Sequence, residues 1–212
     1  MANELVKLRK KIDEIDQALL KLVRRRLAMS REIAGVKTEG SAVYRPAREA
    51  LLMYKLLLKI DDNIEKEVII RLWRSFLASS VYSQKPKFKI ISSQGLEKFT
   101  QQFSAQFLDY AFCQTGQDII EQISENNADI GFFPYKELTQ IASYFGEGTG
   151  IYVNHKIDNV AIICKNMPEE TGFDISLFKN SDVEEVKITE KQGFYAETKF
   201  DKLVYIGSWV NL

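Results

Sequence analysis

Apolar side chains recur along the first 36 residues in steps of three and four: Leu5, Leu8, Ile12, Ile15, Leu19 and Leu22, then Met29, Ile33 and Val36. This is the narrow seam of a helix that lies lengthwise against other helices. It predicts one helix from about residue 4 to residue 37, roughly 50 Å long at 1.5 Å per residue. A helix of that length outruns what one small domain covers, so a partner chain is expected. Arg26 falls on the seam, between Leu22 and Met29. Two readings of that charge compete. A polar residue in a helical seam fixes the register and number of helices. Alternatively the guanidinium faces an internal anion, because a buried cation without a partner is costly.

Gly40 and Ser41 suit a loop, and Pro46 suits the first turn of a second helix, which carries Glu49, Leu52 and Leu56 on one face. A third helix is expected to begin near "DDNIEKE", where acidic residues match the helix dipole. Its stripe Val68, Leu72, Phe76 continues in steps of four onto Ser80 and Gln84, so an apolar face turns polar within one helix.

Beyond Phe88 the pattern changes. "KFKIISS", "DYAFC" and "ADIGFFP" read as strands alternating with helices at "GLEKFTQQFSAQFL", "GQDIIEQISENN" and "YKELTQIASYF". Strands then follow at "GIYVNH", "NVAIICK", "VEEVKIT", "GFYAETKF" and "LVYIGSWV". The alternation followed by several strands predicts an α/β domain with a mixed sheet. "GEGTG" (146–150) follows a helix and has the wrong spacing for a dinucleotide loop, so it reads as a flexible turn. His155 reads as a surface residue in a short polar turn.

Composition narrows the function. With 212 residues, 45% hydrophobic and 27% charged, the chain is an ordinary soluble protein of one or two domains. The start "MANELVKLRK" lacks the apolar core of a signal peptide, and no 18-residue apolar run follows. A cytoplasmic location without membrane contact is the expectation. Cys113 and Cys164 stand apart without metal-ligand spacing and are expected to be reduced. The net charge of zero hides a split: residues 1–85 hold 18 Lys+Arg against 11 Asp+Glu, and residues 86–212 the reverse. All nine arginines precede residue 75. Two domains, 1–85 and 86–212, are therefore expected to meet near "SQKPKF". A nucleic-acid partner is not expected, because the cations lie partly on the seam with no aromatic residues interleaved for base stacking.

Each helix thus brings polar groups to its inner face: Arg26 on the first, Glu49 on the second, Ser80 and Gln84 on the third. Arg9, Lys37 and Arg48 flank these positions. Taken singly, each flanking cation reads as a solvated surface residue. Taken together, four cations, one carboxylate and two neutral hydrogen-bonding groups suit a small substrate with two carboxylates and a hydroxyl. The set lacks a nucleophile paired with a base, a metal cluster and a phosphate loop. The reaction it suits needs positioning and charge stabilisation more than proton transfer.

Three stretches in register carry a resemblance: "LRKKIDEIDQALLKLVRRR", "VYRPARE" and "RLWRSFLASSVYSQ". Over about residues 5–85 the chain resembles the all-helical class of chorismate mutases. The resemblance implies a three-helix domain in an intertwined homodimer, acting on chorismate without cofactor, metal or covalent intermediate. It implies that Arg26 and Arg9 grip the two carboxylates, with Arg9 supplied by the other subunit. Lys37 and Gln84 would donate to the ether oxygen of the breaking bond, and Glu49 would accept from the ring hydroxyl. Arg48 would support a carboxylate and Glu49, and Ser80 would bind near the ring carboxylate. Catalysis would then fall to Arg26, Lys37, Glu49 and Gln84, and substrate binding to Arg9, Arg48 and Ser80. Arg45 stands where many members have Asp, which implies altered substrate access or affinity rather than loss of the reaction. Lyase activity on isochorismate, found in related helical domains, is not excluded by Lys37 and Gln84.

"NNADIGFFP" is faintly similar to a strand of prephenate dehydratase, which is often fused to this domain. That enzyme needs a Thr-Arg-Phe motif, however, and no arginine follows Arg74. The half is also short for that domain. A second activity is therefore not expected, and the α/β half is read as an effector site, a brace for the dimer, or a remnant. The other reading left open is a helical dimerisation module with a sensor domain and no catalysis.

Overall fold

A computed structural model of the chain describes residues 2–37, 42–180, 186–196, 200 and 202–210. The loop expected at Gly40 and Ser41 lies outside these residues, as do parts of "VEEVKIT" and "GFYAETKF". Compactness divides the chain into two units, Met1–Ser41 and Ala42–Leu212.

The first unit is a single helix, α1 (Ala2–Val36). No proline interrupts it, and Gly35 falls only in its last turn. Its seam is exposed from Leu5 to Val36, with Leu22 at 61%. Arg26 is half-buried, although its seam neighbours Leu22 and Met29 are exposed.

The second unit opens with α2 (Pro46–Leu57), which has proline in its first turn as expected. Asp62 then caps α3 (Asn63–Gln84), its carboxylate accepting from the Glu65 N–H at 2.8 Å. The stripe anticipated on α3 is not its covered face: Val68 and Leu72 are exposed, and Leu77, Ala78 and Val81 are buried instead. The chain continues as β1 (Lys89–Ser93), α4 (Glu97–Ser104), β2 (Asp109–Cys113), α5 (Gly116–Ser124) and β3 (Ile130–Pro134). After the short α6 (Leu138–Ile141) come β4 (Tyr152–Ile157), β5 (Val160–Cys164), β6 (Asp174–Asn180), β7 (Ile188–Gln192) and β8 (Leu203–Val210). The order expected from sequence, helices first and then an α/β unit with a mixed sheet, is the order found.

The eight strands lie in the order β2-β1-β3-β5-β4-β8-β6-β7. β1 pairs in parallel with β2 and β3, as strand–helix–strand connections require. β3, β5 and β4 pair antiparallel, as do β8, β6 and β7. The two parts of the sheet meet at one parallel register pair, Val153 with Gly207. There Gly207 has φ +151°, and a Cβ on it would lie 2.1 Å from the Val153 carbonyl oxygen. Only glycine lets the two strands approach this closely.

Period-two alternation gives the sheet two covered faces. Ile91, Phe133 and Ile163 point with Ile119, Ile120 and Ile123 of α5 into one core cluster. Ile90, Phe132 and Ile162 point into the other, beneath Phe103 of α4, Ala78 and Val81 of α3, and Tyr44. Helices α3 and α4 therefore share one face of the sheet.

Four local expectations are corrected. α4 stops at Ser104, because Ala105 and Gln106 take left-handed φ values of 48° and 63°. "YKELTQIASYF" is not one helix but 3-10 turns on either side of α6. The described part of "GFYAETKF" forms no strand, only isolated bridges at Gly193 and Phe200. β6 was not anticipated, since its ends, Asp174 and Asn180, look like turn residues. Asp174 in fact does bind a turn, accepting from the N–H groups of Thr171 and Gly172 at 2.8 and 3.0 Å.

Candidate functional site

On α1, eleven residues separate Arg26 from Lys37, which is three turns, so the two positions share a face. Lys37 continues the helical pattern just past the last turn, its N–H reaching the Ile33 carbonyl at 3.1 Å. Arg9 precedes Arg26 by seventeen residues, roughly 25 Å along the axis and about 100° around it. Arg9 is exposed. One copy of α1 therefore cannot bring both arginines to one small molecule.

In the second unit, Arg48 and Glu49 occupy the first turn of α2, where the helix dipole favours the carboxylate. Arg48 is exposed and Glu49 buried. Glu49 Oε2 accepts from Arg74 Nη1 at 3.0 Å, with side chains only 11% and 18% exposed. On α3, Ser80 Oγ donates to the Phe76 carbonyl at 2.7 Å. One turn on, Gln84 Nε2 donates to the Ser80 carbonyl at 2.9 Å. Gln84 Oε1 is buried with no hydrogen-bond partner among the described residues, an acceptor with an unmet demand. Arg26, Lys37 and Arg9 thus lie on one unit, and Arg48, Glu49, Ser80 and Gln84 on the other.

Arg45, the residue that departs from the resemblance, makes a two-pronged pair with Glu169, Nε to Oε1 at 2.8 Å and Nη2 to Oε2 at 2.9 Å. Asn166 Nδ2 donates to the Tyr44 carbonyl at 3.3 Å, and Lys85 pairs with Asp129. These contacts fasten the start of α2 and the end of α3 to the sheet unit.

Three participants were not anticipated. Arg74 repeats the signal of Arg26, a cation on a covered stripe with Leu77, Ala78 and Val81, which neighbours the stripe of Val68, Leu72 and Phe76. Tyr44 is buried against Phe88 and Phe103, and burial, then Glu49, holds its phenol proton well above the usual tyrosine range. His155 corrects an expectation. It is 8% exposed and lies within β4 opposite Ile162, so strand pairing carries it onto the face covered by α3 and α4. Its Nδ1 has no hydrogen-bond partner among the described residues. Burial, and then the charge of Arg74, lower its pKa to about 4. Burial pushes the Cys164 thiol up to about 12 and raises that of Cys113, so neither suits a nucleophile at neutral pH.

The imidazole predicts a pH response. An unfolded histidine titrates near 6.5 and this one near 4, so its contribution to stability is complete above about pH 6.5 and drains as the pH falls towards 4. Between pH 7 and pH 4.5 urea unfolding should show a loss of about 2–3 kcal/mol that His155→Leu abolishes. Equal losses in both proteins would contradict a neutral buried imidazole.

Comparison with known proteins gives the segment that holds these residues a family. The family model "Chorismate mutase type II" matches residues 8–85. A "Chorismate mutase" of Methanocaldococcus jannaschii is 30% identical over 88 residues, which are 40% of this chain and 88% of that protein. Two proteins named "Bifunctional chorismate mutase/prephenate dehydratase" are each 26% identical. That of Aquifex aeolicus aligns over 147 residues, 65% of this chain and 40% of its own. That of Pseudomonas aeruginosa aligns over 168 residues, 74% of this chain and 43% of its own. Both alignments exceed what residues 1–85 can supply, so the similarity runs into the α/β half. The chain spans less than half the length of these two relatives. A solved structure titled as a quorum-quenching acylase, GqqA, covers 58% of this chain and 95% of its own at 9% identity and a TM-score of 0.40, too slight a likeness to support any inference. No described helix is long and apolar enough to cross a membrane.

Proposed function

The chain belongs to the chorismate mutase type II family, and from that premise we propose that residues 1–85 rearrange chorismate to prephenate while residues 86–212 form an α/β domain against which α3 packs. The observation that carries this reading is the coincidence of the matched segment, 8–85, with the whole polar set from Arg9 to Gln84. Chorismate carries two carboxylates, a ring hydroxyl and an ether oxygen, and the set supplies a complement to each.

In this reading two arginines clamp the carboxylates and fold the enolpyruvyl group over the ring, which converts a floppy molecule into a near-attack conformer. The ether C–O bond then breaks as the new C–C bond forms, with no proton, electron pair or group passing to the protein. Negative charge grows on the ether oxygen, and Lys37 and Gln84 donate to it, stabilising the transition state more than the ground state. Glu49 accepts from the ring hydroxyl, Ser80 binds near the ring carboxylate, and Arg48 supports a carboxylate and Glu49. The distance of roughly 25 Å between Arg9 and Arg26 supports a site completed by Arg9 of a second copy, and the exposed α1 seam supports the homodimer that this requires. A cytoplasmic location fits an enzyme of this kind.

The similarity of the bifunctional relatives beyond residue 85 favours a dehydratase-related origin for the α/β half. The absence of arginine after Arg74 argues against its activity. The purified protein is expected to run at twice the chain mass and to accelerate loss of chorismate absorbance, with prephenate and not phenylpyruvate accumulating. A monomer that leaves chorismate untouched would favour the dimerisation-module reading.

A further inference from the structure

We propose that Arg74 is a positioning residue, holding the Glu49 carboxylate in place for substrate and linking it to the sheet of the α/β half. The proposal rests on the chorismate mutase reading of the site. Arg74 lies on α3, yet side chains from two other elements meet at its guanidinium, and two more groups lie within its field. From α2, Glu49 Oε2 accepts its Nη1 proton at 3.0 Å. From α4, the Phe103 ring lies under it, 4.3 Å from guanidinium carbon to ring centroid. From β4, His155 is close enough for the Arg74 charge to depress its titration. From the segment before α2, Tyr44 feels both Arg74 and Glu49. The remaining charged groups near it, Glu67 and Arg71 of α3 and Asp158 of the β4–β5 turn, line the same cleft of about 660 Å³.

This geometry has a direction. Phe103 is itself fixed, packed edge-on at 4.8 Å against Phe132 of β3. The guanidinium is thus held from the sheet side by contact with an aromatic ring, and the carboxylate follows the guanidinium. A second cation at His155 would repel Arg74, so a neutral imidazole suits the arrangement. A buried carboxylate that is to accept from a substrate hydroxyl must stay ionised and keep one orientation, and a desolvated cation in hydrogen-bond contact supplies both. Deprived of that cation, a buried carboxylate holds its proton to higher pH. Arg74 touches neither substrate nor reacting atoms in this account.

The test is the pH dependence of kcat, between pH 5 and 9, for the full chain, Arg74→Gln, Arg74→Lys, Glu49→Gln and the double variant Arg74→Gln/Glu49→Gln, with melting temperatures beside each. The expected result is a fall in kcat of at least tenfold for Arg74→Gln, with the acid limb moved upward by a pH unit or more. Arg74→Lys should restore the limb but, lacking the planar fork on Phe103, run three- to tenfold below the parent. In the Glu49→Gln background the Arg74→Gln change should add nothing further. Unaltered kcat and limb in Arg74→Gln, or a full additional loss in the double variant, would overturn the proposal. If Arg74→Gln does not fold, Arg74→Lys decides: parental kcat overturns the proposal. A parent chain inactive on chorismate would instead overturn the mutase reading itself.

Discussion

Lys37→Ala is expected to lower chorismate turnover by a factor on the order of 10²–10³, with little change in thermal stability. The size of the effect follows from the reaction. A pericyclic rearrangement offers the protein no bond to make, so preorganised donors at the atom where charge grows provide most of the stabilisation open to it. Lys37 follows Arg26 by three helical turns on the same face, the relation that the proposed role requires. Stability is untouched because Lys37 follows the last turn of α1 and belongs to neither core cluster. The measurement is kcat against melting temperature for the variant and the parent. Turnover within threefold of the parent would remove Lys37 from the chemistry.

Gly207→Ala is expected to destabilise the chain by about 2–5 kcal/mol, combining an unfavourable φ with overpacking. The added methyl would lie 2.1 Å from the Val153 carbonyl oxygen and 2.6 Å from its nitrogen. Both are backbone atoms, so no rotamer relieves the clash. β4 and β8 would have to separate at the pair that joins the two parts of the sheet. Denaturant unfolding reads the loss as a lower midpoint, and a midpoint equal to the parent's would show that the strands are not held so closely.

Much of this was written in the sequence because it depends on local period. The seam of α1, the proline-started α2 and the capped α3 announce themselves through spacing and end residues, and so do β1 to β3, whose apolar runs alternate with helical ones. What stayed hidden depends on pairing across the chain. β6 has turn-like residues at both ends, and only its partners β7 and β8 define it. His155 follows Asn154 in a polar-looking stretch, and only its place opposite Ile162 buries it. Arg74 became visible through Glu49, 25 positions earlier in the chain. The polar set of the candidate site was legible as an inventory, and its support from Arg74 was not.

The bare apolar ribbon on α1 has a consequence for how the protein behaves at low concentration. A helix of 35 residues that shows Leu5, Leu8, Ile12, Ile15, Leu19, Leu22, Met29, Ile33 and Val36 to water gains its stability from packing and not from propensity. If another copy supplies that packing, encounter becomes part of folding, and mass action governs how much working protein exists. Specific activity then declines on dilution, as chains outlive the meetings that complete them.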